Sequence, residues 1–254
     1  MLVQWFSCMS SLTPLNPPLT LSIIIPVFNE QDYFEALFKR VLETELPDGI
    51  TREIIIVDDA STDETKTILK QLEDQSDTYD ASINIYYHDK NKGKGAAIQT
   101  ALPYMTGDIA LIQDADLEYD PDEYGILLDP ILSGKADVVY GSRFAGAPHR
   151  TIYFWNSVGN KFLTFLSNVL TNLNLTDMEC CYKVFRKEML EGLTIKENRF
   201  GFEPEITAKM SKRKARIFEV PVSYAGRSYE EGKKIGFKDG LSALRCILKY
   251  NLFG

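Results

Sequence analysis

Two aspartates and a nearby glutamate stand out in this chain as candidate metal ligands. Asp114 and Asp116 follow the apolar run 109–112, and Glu118 comes two residues later. Residues two apart point the same way in an extended chain, so these carboxylates would face one point. Carboxylates gathered at the end of a buried strand are costly unless a cation neutralises them, and oxygen ligands suit a divalent metal. The pattern therefore indicates a metal site that would attract a diphosphate, although a solvated acidic turn has the same pattern.

A glycine-rich loop is the second candidate site. The residues NKGKG at 91–95 open a predicted helix. Helix N-termini and glycine-rich backbones favour anions, and Lys92 and Lys94 add positive charge. The spacing matches neither the phosphate-binding loop of nucleotide hydrolases nor the dinucleotide-binding fingerprint, which disfavours both functions. The loop indicates a phosphate or nucleotide nearby, or simply a turn that starts a helix.

The elements that must position these residues alternate between strands and helices. Strands are predicted at 21–27, 53–57, 83–87 and 109–112, and helices at 32–44, 65–72 and 94–102, with Ser61 as a possible N-cap of the second helix. This order predicts a single α/β domain with a mostly parallel sheet flanked by helices. Ligands bind such sheets outside the carboxyl ends of the strands, where the polar residues of this chain collect.

Length and charge bound the function further. The chain has 254 residues, enough for one large α/β domain, and its net charge is −8. Residues 209–254 nevertheless carry eleven basic and four acidic side chains, a net of +7. A basic C-terminal end on an acidic body predicts contact with phosphate groups or an anionic membrane surface. Nucleic acid fits less well, because the basic segment has no recognisable recognition helix or stacking motif.

Cysteine usage and hydropathy predict an intracellular location. The four cysteines show no C-x-x-C spacing, so neither a disulfide framework nor a zinc site is expected. No apolar run reaches the length of a transmembrane helix, and the first twenty residues lack the basic start of a secretory signal. We expect residues 1–20 to form an extended lead-in.

Apolar residues recur at helical spacing between 155 and 170. The set comprises Trp155, Val158, Phe162, Phe165, Leu166 and Val169. The pattern is typical of an amphipathic helix packed on the domain, and we favour that interpretation over a helix lying against a membrane. A second, shorter amphipathic helix is predicted at 241–253.

Five motifs together resemble family 2 glycosyltransferases. They are SIIIPVFNE at 22–30, IIVDDASTD at 55–63, NKGKG at 91–95, QDADLE at 113–118 and GSRF at 141–144. The resemblance implies the GT-A fold, a Rossmann-like nucleotide-sugar-binding sheet. The later segments 177–185, 199–205 and 227–240 resemble the branch that includes dolichyl- and polyprenyl-phosphate mannosyl- and glucosyltransferases. The resemblance as a whole implies a domain at 21–226, with a nucleotide-sugar half at 21–144 and an acceptor half at 145–226. A basic loop and an amphipathic helix follow at 227–254.

The resemblance also implies roles for individual residues. Mg²⁺ or Mn²⁺ would be held by Asp114 and Asp116, with Glu118 as a third ligand where close relatives usually have glutamine. The residues expected around the donor are Pro26, Phe28, Glu30, Asp58, Asp59, Gly93, Lys94, Asp114 and Ala115. The residues expected to bind an acceptor phosphate are Arg143, Arg227, Lys233 and Lys234. Asp116, Asp177 and Arg143 would be the catalytic residues.

The implied reaction is an inverting transfer of glucose or mannose from UDP-glucose or GDP-mannose to a polyprenyl phosphate. A phosphate acceptor is already nucleophilic near neutral pH and needs a cationic clamp rather than a base. The enzyme would then work in the cytoplasm, peripherally at the cytoplasmic membrane face. The second hypothesis is an inverting transfer to a sugar hydroxyl in surface-polysaccharide or glycolipid assembly, which would need a base. Asp177 could be that base, or it could organise the arginines of the acceptor site. Glu203 and Glu205 could serve as the base or as organisers of the arginines, or could cap a helix near Pro204. A non-catalytic nucleotide-sugar-binding module is the third hypothesis, which the retention of both aspartates disfavours.

Overall fold

Seven strands and seven helices make up the described part of the chain. The computed structural model describes residues 18–151, 153–228, 230–231 and 236–253, without the side chains of residues 237 and 238. The strands are β1 (Leu19–Val27), β2 (Ile50–Asp58), β3 (Ser82–Tyr87), β4 (Ile109–Ile112), β5 (Val138–Ser142), β6 (Lys183–Arg186) and β7 (Ile217–Pro221). The helices are α1 (Phe34–Glu43), α2 (Thr65–Asp74), α3 (Lys94–Ala101), α4 (Tyr124–Leu132), α5 (Phe154–Thr171), α6 (Phe202–Lys212) and α7 (Phe237–Leu252).

All seven strands belong to one sheet. Their order is β3-β2-β1-β4-β6-β5-β7, and only β6 runs antiparallel to its neighbours β4 and β5. The apolar runs of β1, β2 and β4 are buried along most of their length, as expected for central strands covered by helices on both faces. The predicted fold class, a mostly parallel α/β sheet in a single domain, is confirmed.

The first four predicted strands and the helices between them are all present. Their bounds differ from the predictions by a few residues at the ends, and α1 begins at Phe34 rather than residue 32. The proposed N-cap of α2 is wrong, because that helix starts after Glu64. The Ser61 hydroxyl instead accepts a hydrogen bond from the backbone N–H of Asn29 at 3.0 Å, which ties the loop after β2 to the loop after β1.

The expectation that the apolar stripe of α5 packs on the domain is wrong for most of its members. The residues of this helix that are fully buried are Thr164, Ser167 and Thr171, whereas Trp155 and Phe165 are exposed. The helix thus turns three leucines (Leu163, Leu166 and Leu170) and small polar side chains inward, and aromatic side chains outward.

The ends of the chain add little to the sheet. The predicted lead-in at 1–20 lies almost wholly outside the described residues, and β1 already begins at Leu19. The second amphipathic helix is present as α7, which packs against α5 and α6. Among the described residues, no helix is both long and apolar enough to cross a membrane.

Candidate active site

The carboxyl ends of three central strands meet at one edge of the sheet. Residue Val27 of β1 is in register with Asp58 of β2, and Ile24 of β1 with Ile112 of β4. The chain segments that follow these strands carry Glu30, Asp58, Asp59 and the three carboxylates 114, 116 and 118. The predicted convergence of polar residues at this edge is therefore seen in the structure.

Arg227 lies between three of these carboxylates. Its Nη2 is 2.5 Å from Asp116 Oδ2, and its Nη1 is 3.1 Å from Glu30 Oε2. Its Nε and its backbone N–H both donate to Glu118 Oε1, at 3.1 and 2.8 Å. One cation faces three carboxylates here, so the cluster keeps an excess of negative charge.

That excess acts most strongly on Asp116. Burial and the charges of Asp114 and Glu118 together raise the pKa of this carboxyl to about 7, although Arg227 lowers it. Burial would lower the pKa of Arg227, but the neighbouring carboxylates raise it and so stabilise its charged form. A second cation beside Asp116 would relieve this repulsion.

Asp114, the first aspartate of the triplet, forms an ion pair with Lys94. The Nζ of Lys94 is 2.8 Å from Asp114 Oδ1 and 3.2 Å from Glu203 Oε1. Burial alone would raise the pKa of Asp114, but the ammonium of Lys94 lowers it below its usual value. Lys94 thus joins the first aspartate of the D-x-D triplet to α6. The second oxygen of Glu203 is buried and has no hydrogen-bond partner among the described residues.

The glycine loop before α3 is held by two sets of backbone contacts. Asp59 accepts hydrogen bonds from the backbone N–H groups of Lys92 and Gly93, at 2.8 and 2.6 Å. The carbonyl of Asn198 accepts from the N–H of Ala96 at 3.0 Å. The backbone N–H groups of Lys92, Gly93 and Ala96 are therefore already bonded within the protein.

Both glycines of the loop lie against the backbone of residues 197–199. Gly93 has a φ of +101°, and a Cβ there would lie 2.4 Å from the Asn198 carbonyl oxygen. A Cβ on Gly95 would lie 2.1 Å from the Glu197 carbonyl oxygen. A side chain at either position would push the two segments apart, which explains why glycine is needed at both.

The remaining predicted donor residues line the same edge. Asp58 is almost fully buried and accepts from the backbone N–H of Ser61 at 3.2 Å. Pro26 and Ala115 are buried, and Phe28 is half-buried directly after β1. His88 was not singled out from the sequence, yet its Nδ1 is 2.7 Å from Asp59 Oδ1. It supports the carboxylate that holds the glycine loop.

Arg143 and Asp177 form a buried two-pronged ion pair. The Nε and Nη2 of Arg143 are 2.6 and 2.8 Å from the two carboxylate oxygens of Asp177, and the Arg143 backbone N–H donates at 3.1 Å. Burial alone would lower the pKa of Arg143, but Tyr119 and Asp177 raise it well above its usual value. Both oxygens of Asp177 are thus engaged in orienting Arg143, which favours the organiser role over the base role.

Tyr224 connects the two predicted arginines. Its ring lies 5.1 Å from the guanidinium carbon of Arg143, a cation–π distance. Its hydroxyl donates to Glu118 Oε2 at 2.8 Å, and Glu118 in turn accepts from Arg227. Nothing in the local sequence pattern around Tyr224 indicated this role. Lys233 and Lys234, the other two predicted acceptor residues, lie outside the described residues.

Two more charged residues near Asp177 escaped the sequence reasoning. Burial and the charge of Glu203 raise the pKa of Glu179 to about 8, and its Oε1 has no hydrogen-bond partner among the described residues. Lys183 is fully buried in β6, and its Nζ donates to the carbonyls of Met178 and Cys180. The available signal for Lys183 was its position directly before the apolar pair Val184 and Phe185.

Glu205 has a different role from the helix cap considered above. It is fully buried and accepts from the backbone N–H groups of Lys196 and Glu197, at 2.9 and 2.7 Å. It therefore fixes the segment that covers the glycine loop. Neither Glu203 nor Glu205 caps the N-terminus of α6 with its side chain.

Solved structures of one enzyme share this fold. Glucosyl-3-phosphoglycerate synthase from Mycobacterium tuberculosis, in complex with Mn²⁺, UDP and glucosyl-3-phosphoglycerate, is 17% identical over 92% of this chain and 80% of that one, with a TM-score of 0.69. Its complex with Mn²⁺, UDP-glucose and glycerol 3-phosphate gives a TM-score of 0.68, at the same identity and coverage. Its complex with Mg²⁺ and UDP gives 0.67, at 17% identity over 92% and 79% of the two chains.

The family assignment rests on the sequence itself. A family model described as "Glycosyl transferase family 2" matches residues 22–194, which include the D-x-D triplet, Arg143 and Asp177. The match covers more than half of the chain and agrees with the five motifs and with the GT-A sheet. The chain belongs to glycosyl transferase family 2.

Proposed function

We propose that this glycosyltransferase moves a hexose, glucose or mannose, from UDP-glucose or GDP-mannose to a polyprenyl or dolichyl phosphate, with inversion at the anomeric carbon. The observation that carries the proposal is the engagement of Asp177 by Arg143. A base must reach the proton that it takes, whereas Asp177 is fully buried and accepts three hydrogen bonds from Arg143. A phosphate acceptor, which needs cations and no base, fits this arrangement.

Two arginines are available to hold such an acceptor. Arg143 and Arg227 are linked through Tyr224 and Glu118, so they face the same side of the carboxylate cluster. Arginine grips phosphate oxygens through two parallel N–H groups, and it keeps its charge even when buried. Two of the solved structures named above contain glucosyl-3-phosphoglycerate or glycerol 3-phosphate, which agrees with a phosphate-binding site on this fold.

We propose that the enzyme uses Mg²⁺ or Mn²⁺ on Asp114 and Asp116. The raised pKa of Asp116 indicates a site short of positive charge, and carboxylate oxygens suit these ions. Within the described part of the chain, no three His, Cys, Asp or Glu side chains are already arranged around one point. That does not oppose the proposal, because Mg²⁺ is commonly held by one or two carboxylates together with substrate phosphates. When bound, the metal would stabilise the charge that develops on the leaving diphosphate.

The protein's own residues would act in binding and orientation. An oxygen of the acceptor phosphate attacks the anomeric carbon, the bond from that carbon to the diphosphate oxygen breaks, and the nucleoside diphosphate leaves with the electron pair. Arg143, fixed by Asp177, would hold the acceptor phosphate in line for this attack. Arg227 would exchange its contact with Asp116 for substrate phosphate oxygens. Lys94 would remain beside the donor through its pair with Asp114.

A hydroxyl acceptor is the alternative, and one observation favours it. Glu203 has a buried oxygen without a hydrogen-bond partner among the described residues, and Glu179 has another. The carboxylate of Glu203 could take the proton of an attacking hydroxyl, whereas burial and the charge of Glu203 raise the pKa of Glu179 to about 8 and keep it mostly protonated near neutral pH. On this alternative, Glu203→Gln would abolish transfer to the hydroxyl but leave the binding of the donor intact.

Transfer of labelled sugar tests the proposal. Purified protein is incubated with radiolabelled UDP-glucose or GDP-mannose, Mn²⁺ or Mg²⁺, and either a short polyprenyl phosphate or glycerol 3-phosphate. We expect label in the organic phase, its loss with EDTA or Asp116→Asn, and a large loss with Arg143→Gln. Arg216→Gln is the matched control, because Arg216 pairs with Asp137 on the exposed surface. Label on glycerol 3-phosphate alone would reject the lipid acceptor, and equal losses in both arginine variants would reject the role of Arg143.

A further inference from the structure

Helix α5 carries an exposed apolar face in addition to the apolar residues that it packs on the core. Its outer face consists of Phe154, Trp155, Val158, Phe162, Phe165 and Val169, with the side chains 39–77% exposed. Its inner face combines leucines that pack against the core with small polar residues: Leu163, Leu166 and Leu170, and Thr164, Ser167 and Thr171. A helix that supports a protein core places its apolar stripe inward, so this stripe is not explained by the fold of the described residues.

The inner face has a defined role in the active site. The Thr164 hydroxyl accepts from the backbone N–H of Met178 at 3.1 Å. The Asn168 side chain both donates to the carbonyl of Leu175, at 2.7 Å, and accepts from its N–H, at 3.1 Å. These contacts hold the loop that carries Asp177. The helix therefore supports the Arg143–Asp177 pair with one side and presents the aromatic face on the other.

One edge of the outer face of α5 lies close to Arg143 in the active site. The Nζ of Lys161, the charged residue of α5, lies 5.5 Å from the centre of the Phe144 ring. The guanidinium carbon of Arg143 lies 5.8 Å from the same ring. Phe144 thus lies between the proposed phosphate clamp and the helix that carries the aromatic face.

We propose that the outer face of α5 is a binding surface for an anionic lipid bilayer. Aromatic and branched apolar side chains favour the boundary between headgroups and acyl chains, and Lys161 adds attraction to anionic headgroups. Helix α5 contains no acidic residue, so its charge complements anionic lipid and not a second copy of itself. A symmetric contact between two copies would bring like charges together. The neighbouring α7 also exposes Leu241, Leu248, Leu252 and Phe253.

The inference deepens the proposed function, because a bilayer on this face would bring a lipid phosphate to the side of the protein where Arg143 lies. Only the delivery of a lipid phosphate to Arg143 rests on the proposed function, and the binding of a bilayer to this face does not. Binding to vesicles requires neither donor nor acceptor, so it can be measured without sugar transfer. A failure to bind vesicles and a failure to transfer sugar are therefore separate results.

Co-sedimentation with vesicles tests the surface directly. The full chain is mixed with vesicles of phosphatidylcholine alone, or with phosphatidylcholine vesicles that also contain about 30 mol% phosphatidylglycerol. The anionic lipid gives the second set of vesicles a negative surface potential. We expect binding to the anionic vesicles, and a loss of about tenfold or more in the double variant Phe162→Glu/Phe165→Glu. Phe218→Glu is the matched control, because Phe218 is an exposed phenylalanine on strand β7. Lys161→Gln should weaken binding to the anionic vesicles more than to the neutral ones.

Fluorescence of Trp155 gives an independent readout. The chain has two tryptophans, so a Trp5→Phe variant leaves Trp155 as the only one. We expect its emission to shift to shorter wavelength when anionic vesicles are added. Circular dichroism and donor hydrolysis check that each variant is folded. The proposal is overturned by an absence of vesicle binding, by equal binding of the double variant, or by a dimer that this variant converts to a monomer without any vesicle binding.

Discussion

Replacing Asp177 with asparagine should strongly destabilise the protein, because it leaves the buried guanidinium of Arg143 without a counter-charge. Asp177 has no exposed surface and accepts three hydrogen bonds from Arg143, at 2.6, 2.8 and 3.1 Å. Removing one partner of a buried ion pair costs about 3–5 kcal/mol. The asparagine oxygen keeps one acceptor, and the cation–π contact with Tyr224 remains. We therefore expect a loss near the lower end, about 3 kcal/mol.

Urea unfolding followed by circular dichroism measures this loss. A double-mutant cycle with Arg143→Gln isolates the pair, because the double variant contains neither charge. We expect the double variant to be more stable than the sum of the two single losses predicts. The reasoning is refuted if Asp177→Asn costs under about 1 kcal/mol, or if the two losses simply add.

The kinetics of the Asp177→Asn variant distinguish two roles of Asp177 in the reaction, as an organiser of Arg143 or as a base. If Asp177 only orients Arg143, the asparagine variant should show a higher KM for the acceptor, and Arg143→Gln should show the same change. If Asp177 is a base, kcat should fall at saturating acceptor and should recover as the pH rises. An effect confined to kcat would contradict the organiser role.

Three other changes have outcomes that follow from particular contacts. Gly95→Ala should lower the free energy of unfolding by about 1–3 kcal/mol, because the new Cβ would lie 2.1 Å from a backbone oxygen. Gly125→Ala is the control and should be tolerated, because no atom lies within 4 Å of the Cβ it would add. Thermal unfolding compares the two variants. Burial alone would raise the pKa of Glu197, but hydrogen bonds from Arg245, Lys249 and Tyr250 lower it to about 2. The stabilisation from this carboxylate is therefore complete above about pH 4.5 and is lost as the pH falls through 2. The free energy of unfolding should differ by about 1–2 kcal/mol between wild type and Glu197→Gln above that range. Urea titrations should show this difference shrink as the pH is lowered. Arg227→Gln should tighten the binding of Mn²⁺ alone, measured by electron paramagnetic resonance, because it removes the cation that now pairs with Asp116; unchanged affinity would show that the arginine does not compete with the metal.

The sequence predicted the first half of the fold well for a physical reason. Strands buried on both faces read as continuous apolar runs, and β1, β2 and β4 show such runs clearly. Parallel strands must then place their carboxyl ends together, so the position of Asp58 and Asp114 at one edge followed from the topology. The antiparallel strand β6 could not be predicted in the same way. It has only four residues, and two of them, Lys183 and Arg186, are charged.

Side-chain pairing in the site was harder to predict than position. The family motifs identified Arg143, Asp177, Asp116 and Arg227, but spacing along the chain does not say which carboxylate an arginine contacts 34 or 111 residues away. The orientation of α5 was predicted wrongly for a related reason. Helical periodicity shows that apolar residues share a face, but it cannot show whether that face points to the core or to the outside.

The position of β6 has a consequence for how the chain folds. The sheet order places β6 between β4 and β5, so β4 and β5 share no hydrogen bonds with each other among the described strands. During synthesis, both strands are made before residues 183–186. Until then, the edges of β4 and β5 that β6 will cover lack their native partner, which is the situation in which newly made sheets aggregate. Synthesis of those four residues is thus the step that lets the sheet close, and a nascent chain halted before them should depend on chaperones to remain soluble.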